Sequence, residues 1–164
     1  MTLKTRRHLL NLLAAAALVA ADQFTKHWVK VSMDMHERRG LIPGVLGLHR
    51  TQNTGAAFGI LSDTGPLLAV FSAAAIVGIA IYARRYLTGF WLPRVALLLV
   101  LSGAAGNLID RAFFGAVTDM FRFLFAEWFA IFNVADVWLT CGVVLLAVYA
   151  VFFQEDTTRS SRDV

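Results

Sequence analysis

Four apolar stretches, separated by shorter polar segments, dominate the pattern of the chain. Their approximate bounds are residues 9–29, 67–83, 93–113 and 131–153. Each is close to the roughly 20 residues that an α-helix needs to cross a bilayer. The pattern therefore predicts an all-α membrane protein with four transmembrane helices, organised as a single integral-membrane domain over residues 1–164. We expect the polar tail, about residues 154–164, to be disordered.

The first apolar stretch admits two interpretations. Basic residues before it and the small residues Val19, Ala20 and Ala21 at its end are typical of a cleaved signal peptide. Extended through Trp28, the same stretch is long enough for a retained transmembrane helix with an aromatic residue at the interface. We favour the retained helix because three more spans follow it.

The segment between the first two spans, about residues 33–63, has a different composition. It contains Pro43, several glycines and a short alternating piece at residues 45–51. Such a pattern predicts short strands and turns, which would form a small β-rich cap outside the membrane. Residues 62–66 combine a capping side chain with a proline, so the second helix should begin there.

Two connections indicate how the chain is arranged about the membrane. Residues 84–94 carry three arginines and no acid, which places this connection, and with it both termini, in the cytoplasm. The connection after the third span contains an aromatic run at residues 121–129 with two charges and Trp128 near its end. That run predicts an interfacial segment lying along the membrane surface.

Composition supports a membrane protein and narrows its partners. Apolar residues make up 58% of the chain and the mean hydropathy is +0.64, above the roughly 45–50% apolar content of soluble proteins. The net charge of +4 is spread in short groups at the ends of apolar segments, which fits lipid headgroups and no nucleic acid. The single cysteine, Cys141, excludes an internal disulfide and should be a buried thiol. The four histidines lack metal-ligand spacing, so we expect no metal.

Polar residues within the spans are the candidates for chemistry, because ionisable groups in lipid are costly to keep. Asp22 and Lys26 are four residues apart and can pair on one face of a helix. Asn107, Asp110 and Arg111 share a face of the third span. They could serve a reaction, or Asp110 and Arg111 could simply neutralise each other at the interface.

Asp119 and Asp136 flank the same interfacial segment at one predicted membrane level. Two carboxylates that meet in a low-dielectric site tend to share a proton, so one can act as base toward water and the other as acid. That is the chemistry of an aspartic protease. Asn133 and Asp136 also have the spacing of a helix N-cap, and local spacing does not separate these two roles.

Two other classes of function compete with a protease. A proton-coupled transporter could use Asp22, Asp110 and Asp136 as a relay, but these acids collect near the outer helix ends and no repeat is visible. A membrane scaffold could pack through Gly103, Gly106 and Cys141 and would need no acid at all.

Five blocks of the sequence resemble the lipoprotein signal peptidases (signal peptidase II) of bacteria. They recur in that family's order over about 115 residues, at positions 21–26, 53–58, 106–111, 117–121 and 132–136. The resemblance implies four transmembrane helices in the bacterial inner membrane, a β-rich extracytoplasmic cradle and an interfacial helix. The active site would lie near the extracytoplasmic face.

The resemblance also implies roles for individual residues. Asp119 and Asp136 would be the catalytic dyad of an aspartic endopeptidase. The residues that bind substrate or support the dyad would be Asp22, Lys26, Asn53, Gly55, Asn107, Asp110, Arg111 and Asn133.

The implied substrate is a prolipoprotein whose cysteine already carries diacylglyceryl, with cleavage just before that cysteine. Membrane lipids and globomycin-type inhibitors are the other implied ligands. No metal or organic cofactor is expected, and we expect a monomer.

Overall fold

The computed structural model describes residues 2–55, 65–83 and 91–153. Expectations for the end of the cap at residues 56–64, for the arginines in residues 84–90 and for the tail at 154–164 lie outside this part. The described elements, in chain order, are α1 (Leu3–Ser32), β1 (Arg38–Ile42), β2 (Leu46–Asn53), α2 (Gly65–Ala83), α3 (Trp91–Phe114), β3 (Val117–Phe123) and α4 (Val134–Phe152).

Three of the described helical segments are long and apolar enough to cross a membrane. They are Thr5–Ser32, Trp91–Phe114 and Val134–Phe152, and α2 contributes a shorter apolar stretch at Ala69–Ile79. A helical, multi-pass membrane protein is thereby confirmed. α1 continues without a break through Ala20 and Ala21 and packs against α3. The choice between a retained helix and a cleaved signal peptide stays a prediction.

α3 packs against α1, α2 and α4, and its contact with α4 is the most extensive. Small residues bring these backbones close together. A Cβ on Gly103 would lie 2.9 Å from the backbone nitrogen of Leu139, and one on Gly142 would lie 2.7 Å from the carbonyl oxygen of Ala96. The predicted use of small residues for close helix packing is confirmed at this pair of helices.

The strands form one antiparallel sheet in the order β1, β2, β3. The predicted strands of the cap are present as β1 and β2, and β3 joins them from the connection after α3. Val29 and Met33 at the end of α1 pack with Leu48 of β2 and Met120 of β3 in a buried cluster. This cluster fixes the sheet on the end of the first helix.

The prediction of an interfacial helix in the connection after α3 is wrong. Residues 117–123 form β3, and the rest of the connection, up to residue 133, consists of turns and one isolated bridge. The backbone N–H groups of Met120 and Phe121 donate to the carbonyl oxygen of Phe132, and β2 pairs with the other edge of β3. Because these partners satisfy the backbone, and aromatic residues favour strands, a helix has no advantage here. Trp128 is still 78% exposed, as expected of an interfacial side chain.

Candidate active site

Asp119 is the third residue of β3 and is 3% exposed. β2 is paired with β3 so that Asn53 faces Val117, which makes Asn53 a diagonal neighbour of Asp119. The Nδ2 of Asn53 donates to Asp119 Oδ2 at 3.3 Å, and the Nδ2 of Asn133 donates to Oδ1 at 2.6 Å. Both oxygens of this acid therefore accept amide hydrogens.

Asp136 is the third residue of α4, and Asn133 is the N-cap of that helix. The side chain of Asn133 accepts from the backbone N–H of Asp136 at 3.0 Å, and Asp136 Oδ2 accepts from the backbone N–H of Asn133 at 3.0 Å. The capping interpretation of this pair is thus confirmed. The cap holds Asp136 in place, and its Oδ1 also accepts from Nδ2 of Asn107 at 2.8 Å.

The two acids converge on Asn133, which contacts both through different atoms. Their proximity changes the acidity of Asp119. Burial, and then the charge of Asp136, raise the pKa of Asp119 to about 7, while hydrogen bonds from Asn133 and Asn53 oppose the shift. Asp119 can therefore hold or release a proton near neutral pH, as an acid–base catalyst must.

A buried ionic cluster lies next to the acids. The ammonium of Lys26, which is 1% exposed, is 2.9 Å from Asp22 Oδ2, 3.5 Å from Asp110 Oδ2 and 2.9 Å from Asn107 Oδ1. The predicted pairing of Asp22 with Lys26 is confirmed. Asp110 pairs with Lys26 and accepts from the backbone N–H of Thr118 at 2.9 Å.

The interpretation of Asp110 and Arg111 as a mutual ion pair is wrong. They point in different directions along α3: Asp110 faces α1, and the guanidinium of Arg111 donates to the carbonyl oxygen of Gly55 at 3.1 Å. Neighbouring helical residues are separated by about 100° around the axis, so they do not face one partner. Arg111 instead brings a positive charge to the side of the site that holds Asp119 and Asp136.

A cavity of about 490 Å³ joins these groups. One end is polar, and the rest of the wall is apolar and rich in aromatic side chains. The polar lining residues are Asn53, Asn107, Arg111, Asp119 and Asp136, and the other wall includes Phe123, Phe129, Ile131, Phe132, Val137, Leu139, Thr140 and Cys141. A cavity with one polar end and an extended apolar wall suits a ligand that carries both a peptide and a hydrocarbon group.

Cys141 is exposed, so the expectation of a buried thiol is wrong. It lies on the face of α4 that forms part of the cavity wall. In a membrane helix an apolar run does not imply burial in protein, because lipid and cavity faces are equally apolar. Within residues 2–55, 65–83 and 91–153, no three His, Cys, Asp or Glu side chains are grouped to hold a metal ion.

Sequence reasoning missed two contributors to the site. The Nε2 of Gln23 donates to Asp22 Oδ2 at 3.1 Å and to the carbonyl oxygen of Gly106 at 3.1 Å, which ties α1 to α3. An amide in an apolar helix beside an acid was the available signal. The backbone N–H of Ala135 also donates to Asp22 at 2.9 Å, and no residue pattern reveals that bond.

Comparison with known proteins identifies the family. The family model described as "Signal peptidase (SPase) II" matches residues 14–152. A lipoprotein signal peptidase of Symbiobacterium thermophilum is 39% identical over 151 residues, covering 92% of this chain and 99% of that protein. One from Streptococcus thermophilus strain CNRZ 1066 is 41% identical over 135 residues, covering 81% and 86%. One from Streptococcus pyogenes serotype M5 is 42% identical over 141 residues, covering 85% and 91%.

Two solved structures have the same fold. One, described as "Bacterial membrane enzyme structure by the in meso method at 2.3 A resolution", has a TM-score of 0.80 at 30% identity, covering 92% of this chain and 90% of that one. Another, described in the same words at 1.9 A resolution, has a TM-score of 0.77 at 30% identity, covering 88% and 94%. With a matching family model over most of its length, closely similar relatives and this shared fold, the chain belongs to the signal peptidase II family.

Proposed function

We propose that this membrane peptidase is an aspartic endopeptidase that removes signal peptides from prolipoproteins. Its substrates carry diacylglyceryl on a cysteine, and it cuts just before that residue. The observation that carries the catalytic type is the convergence of Asp119 and Asp136 on Asn133, at the polar end of a largely apolar cavity. The relatives named lipoprotein signal peptidase support the substrate class.

The two acids divide the proton transfers between them. With its pKa raised to about 7, Asp119 holds a proton while Asp136 carries the negative charge. Asp136 takes a proton from water as the water oxygen attacks the scissile carbonyl carbon. The tetrahedral intermediate then collapses, the C–N bond breaks, and Asp119 gives its proton to the leaving amine. A proton passing from Asp136 back to Asp119 restores the starting state.

The surrounding side chains hold this arrangement. Asn53, Asn107 and Asn133 donate to the carboxylates and keep their oxygens oriented. The guanidinium of Arg111, next to Gly55, offers a positive charge to a carbonyl oxygen of the substrate. Asp22, Lys26 and Asp110 support the dyad from the neighbouring ionic cluster.

The membrane arrangement completes the proposal. α2 supplies a fourth span beside the three long apolar helices, both termini are cytoplasmic, and the sheet and acids lie near the extracytoplasmic face. The apolar wall of the cavity receives the lipid part of the substrate, whose chains continue into the bilayer. A globomycin-type cyclic peptide would inhibit by occupying the same cavity, and one chain, a single domain over residues 1–164, contains the whole site.

The rival transporter relay has little support from the geometry. Asp22 and Asp110 are committed to the buried ammonium of Lys26, and Asp22 also accepts from a helix N–H. These acids are therefore structural partners of neighbouring groups, and the described residues contain no series of acids leading through the membrane.

Replacing each acid with asparagine tests the proposal. We expect D119N and D136N, purified in detergent and given a diacylglyceryl-modified prolipoprotein, to lose about 10²- to 10⁴-fold in kcat, the contribution of a positioned acid or base. D34N, which changes an exposed acid on the cap, is the matched control and should process normally. Full processing by a correctly inserted D119N or D136N protein would refute the catalytic assignment.

A further inference from the structure

Two asparagine amides in the site have an orientation that is fixed by backbone donors. Asn53 Oδ1 accepts from the backbone N–H of Gly55 at 3.0 Å, and Asn133 Oδ1 accepts from the backbone N–H of Asp136 at 3.0 Å. A backbone N–H can only donate, so the amide atom that faces it must be oxygen. The NH2 group of each side chain is thereby directed toward an acid.

Asn107 follows the same rule, but its donor is a side chain. The ammonium of Lys26 has three hydrogens and no acceptor, so the atom of Asn107 that lies 2.9 Å away must be Oδ1. Nδ2 of Asn133 donates to this same oxygen at 3.1 Å. The NH2 group of Asn107 is consequently turned toward Asp136, where it donates to Oδ1 at 2.8 Å.

The charge of Lys26 does not require this contact. Asp22 and Asp110 already balance the ammonium, at 2.9 and 3.5 Å, in a place where it is 1% exposed. The ammonium also donates a hydrogen bond to the neutral amide of Asn107. A lysine that served only to neutralise two buried acids would not need to end against the amide that contacts Asp136.

We infer that Lys26 is a positioning residue that acts on Asp136 through Asn107. Its ammonium holds the amide of Asn107 in the one orientation that donates to Asp136. This inference rests on the proposed role of Asp136 as the base. Without Lys26, only the hydrogen bond from Nδ2 of Asn133 holds Asn107 Oδ1 on this side. An amide that turns by about 180° loses that weaker bond and presents its oxygen to the carboxylate, which opposes the ionised form that takes a proton from water.

The charged groups around Asp136 come from three other elements. Among the described residues, Arg111 on α3 and Asp119 on β3 interact electrostatically with Asp136, and Lys26 on α1 interacts with Asp119. Asp22 and Asp110 lie against Lys26, and Asp22 also accepts from the N–H of Ala135, next to Asp136. A change at Lys26 leaves Asp119 and Arg111 in place, but it also removes a positive charge from the neighbourhood. The experiment must therefore separate the loss of charge from the loss of amide orientation.

A double-mutant cycle of K26M and N107A makes this separation. If Lys26 acts through Asn107, K26M should lower kcat by about 10- to 100-fold in the native background, the value of a hydrogen bond to a charged group. It should cost less than about threefold once Asn107 is already alanine. K26M should also move the acid limb of the pH–rate profile to higher pH, and that shift should be absent in the N107A background. A loss and a pH shift of the same size in both backgrounds would overturn the inference and leave charge alone as the role of Lys26.

Two further variants make the result interpretable. K30M makes the same substitution one turn along α1, at a lysine that lies 4.0 Å from Asp110, whereas the amide of Asn107 is held by Lys26. It should leave the pH–rate profile unchanged. D22N/K26M removes a buried acid together with the ammonium and keeps an oxygen for the N–H of Ala135, so it serves in place of K26M if that protein does not fold. The double-mutant cycle of K26M and N107A is then measured in the D22N background. Loss of the K26M effect on N107A would support the inference, and an equal effect in both backgrounds would overturn it.

Failure of this inference is distinct from failure of the proposed function. If D119N and D136N are inactive but the cycle shows independent losses, the protease stands and the role of Lys26 is wrong. If D136N is active, the proposed base itself is wrong.

Discussion

The carboxylate of Asp22 accepts a hydrogen bond from the backbone N–H of Ala135, which lies 113 residues further along the chain, at 2.9 Å. Ala135 is in the first turn of α4, where backbone N–H groups have no partner within the helix. A carboxylate at this end also interacts favourably with the helix dipole. Through this bond, an acid of the first helix fixes the turn that carries Asp136.

Gly106 is the residue of α3 that makes room for Asp22. A Cβ at this position would lie 2.5 Å from Asp22 Oδ2 and 3.2 Å from the Cβ of Ala135. We expect G106A to lower the free energy of unfolding by about 1–3 kcal/mol, typical of overpacking, and to reduce kcat because Asp22 must move. G78A, in open space on α2, is the matched control for thermal unfolding and activity. Equal behaviour of the two variants would contradict the close packing around Asp22.

Asn133 caps α4 and also donates to Asp119, and substitution can separate these two contacts. N133A should lose both, with the lost cap costing about 1 kcal/mol. N133S keeps a capping oxygen but has no NH2 to donate to Asp119, so it should recover most of the stability and little of the activity. Thermal unfolding and kcat, measured on both variants, check this. Equal recovery of stability and activity in N133S would show that the bond to Asp119 is unimportant.

The stability of the protein should depend on the ionisation of Asp119. Between its ordinary pKa of 3.8 and the raised value of about 7, the folded protein keeps a proton that the unfolded chain has lost. The resulting stabilisation is complete below 3.8 and is lost as the pH rises through about 7. D119N has no proton to lose, so its thermal stability should fall less between pH 5 and pH 8, by a difference of at least about 3 °C.

The exposed Asp34 provides the comparison for this pH effect. D34N should show the same decline in melting temperature between pH 5 and pH 8 as the native protein. If the D119N and native curves run parallel over this range, burial and the charge of Asp136 do not perturb Asp119 as described.

Arg50 joins the sheet to the first helix. Its Nη1 donates to the carbonyl oxygens of Lys30, at 3.1 Å, and Met33, at the end of α1, where carbonyl groups lack a partner within the helix. R50Q should cost about 1–3 kcal/mol and lower kcat, because β3 and Asp119 are held through the same sheet. The exposed Arg38 on β1 offers R38Q as a control that should change neither quantity. A stable and fully active R50Q protein would show that the buried cluster of α1, β2 and β3 is sufficient to hold the sheet.

Helices were predictable from the sequence because a transmembrane span is a local property of about 20 residues. The prediction of an interfacial helix failed because residues 117–123 pair with β2, which lies more than 60 residues earlier in the chain. Thr51 of β2, for example, pairs with Asp119. The partner of Asp110 could not be predicted from the sequence either. Its choice of Lys26 over Arg111 depends on how α1 and α3 are rotated, which no spacing along the chain records.

Each acid could be singled out from the sequence as a candidate, because an ionisable side chain beside lipid is costly and therefore rarely kept without a role. Their convergence on Asn133 depends on the strand that carries Asp119 and the helix that carries Asp136 meeting at their ends. The capping pattern of Asn133 predicted its local role correctly. The same pattern concealed the contact with Asp119, because a side chain can satisfy a helix end with one atom and an acid with another.

The division of the acids between β3 and α4 has a consequence for biosynthesis. Asn133 and Asp136 belong to the final described helix, so a ribosome delivers them after α1, the sheet strands and α3. A nascent chain that ends before α4 contains Asp119 but lacks Asp136, and it lacks Asn133, whose amide donates to Asp119. If Asp119 and Asp136 are the catalytic pair proposed above, peptide hydrolysis must wait until α4 has been synthesised and has packed against α3.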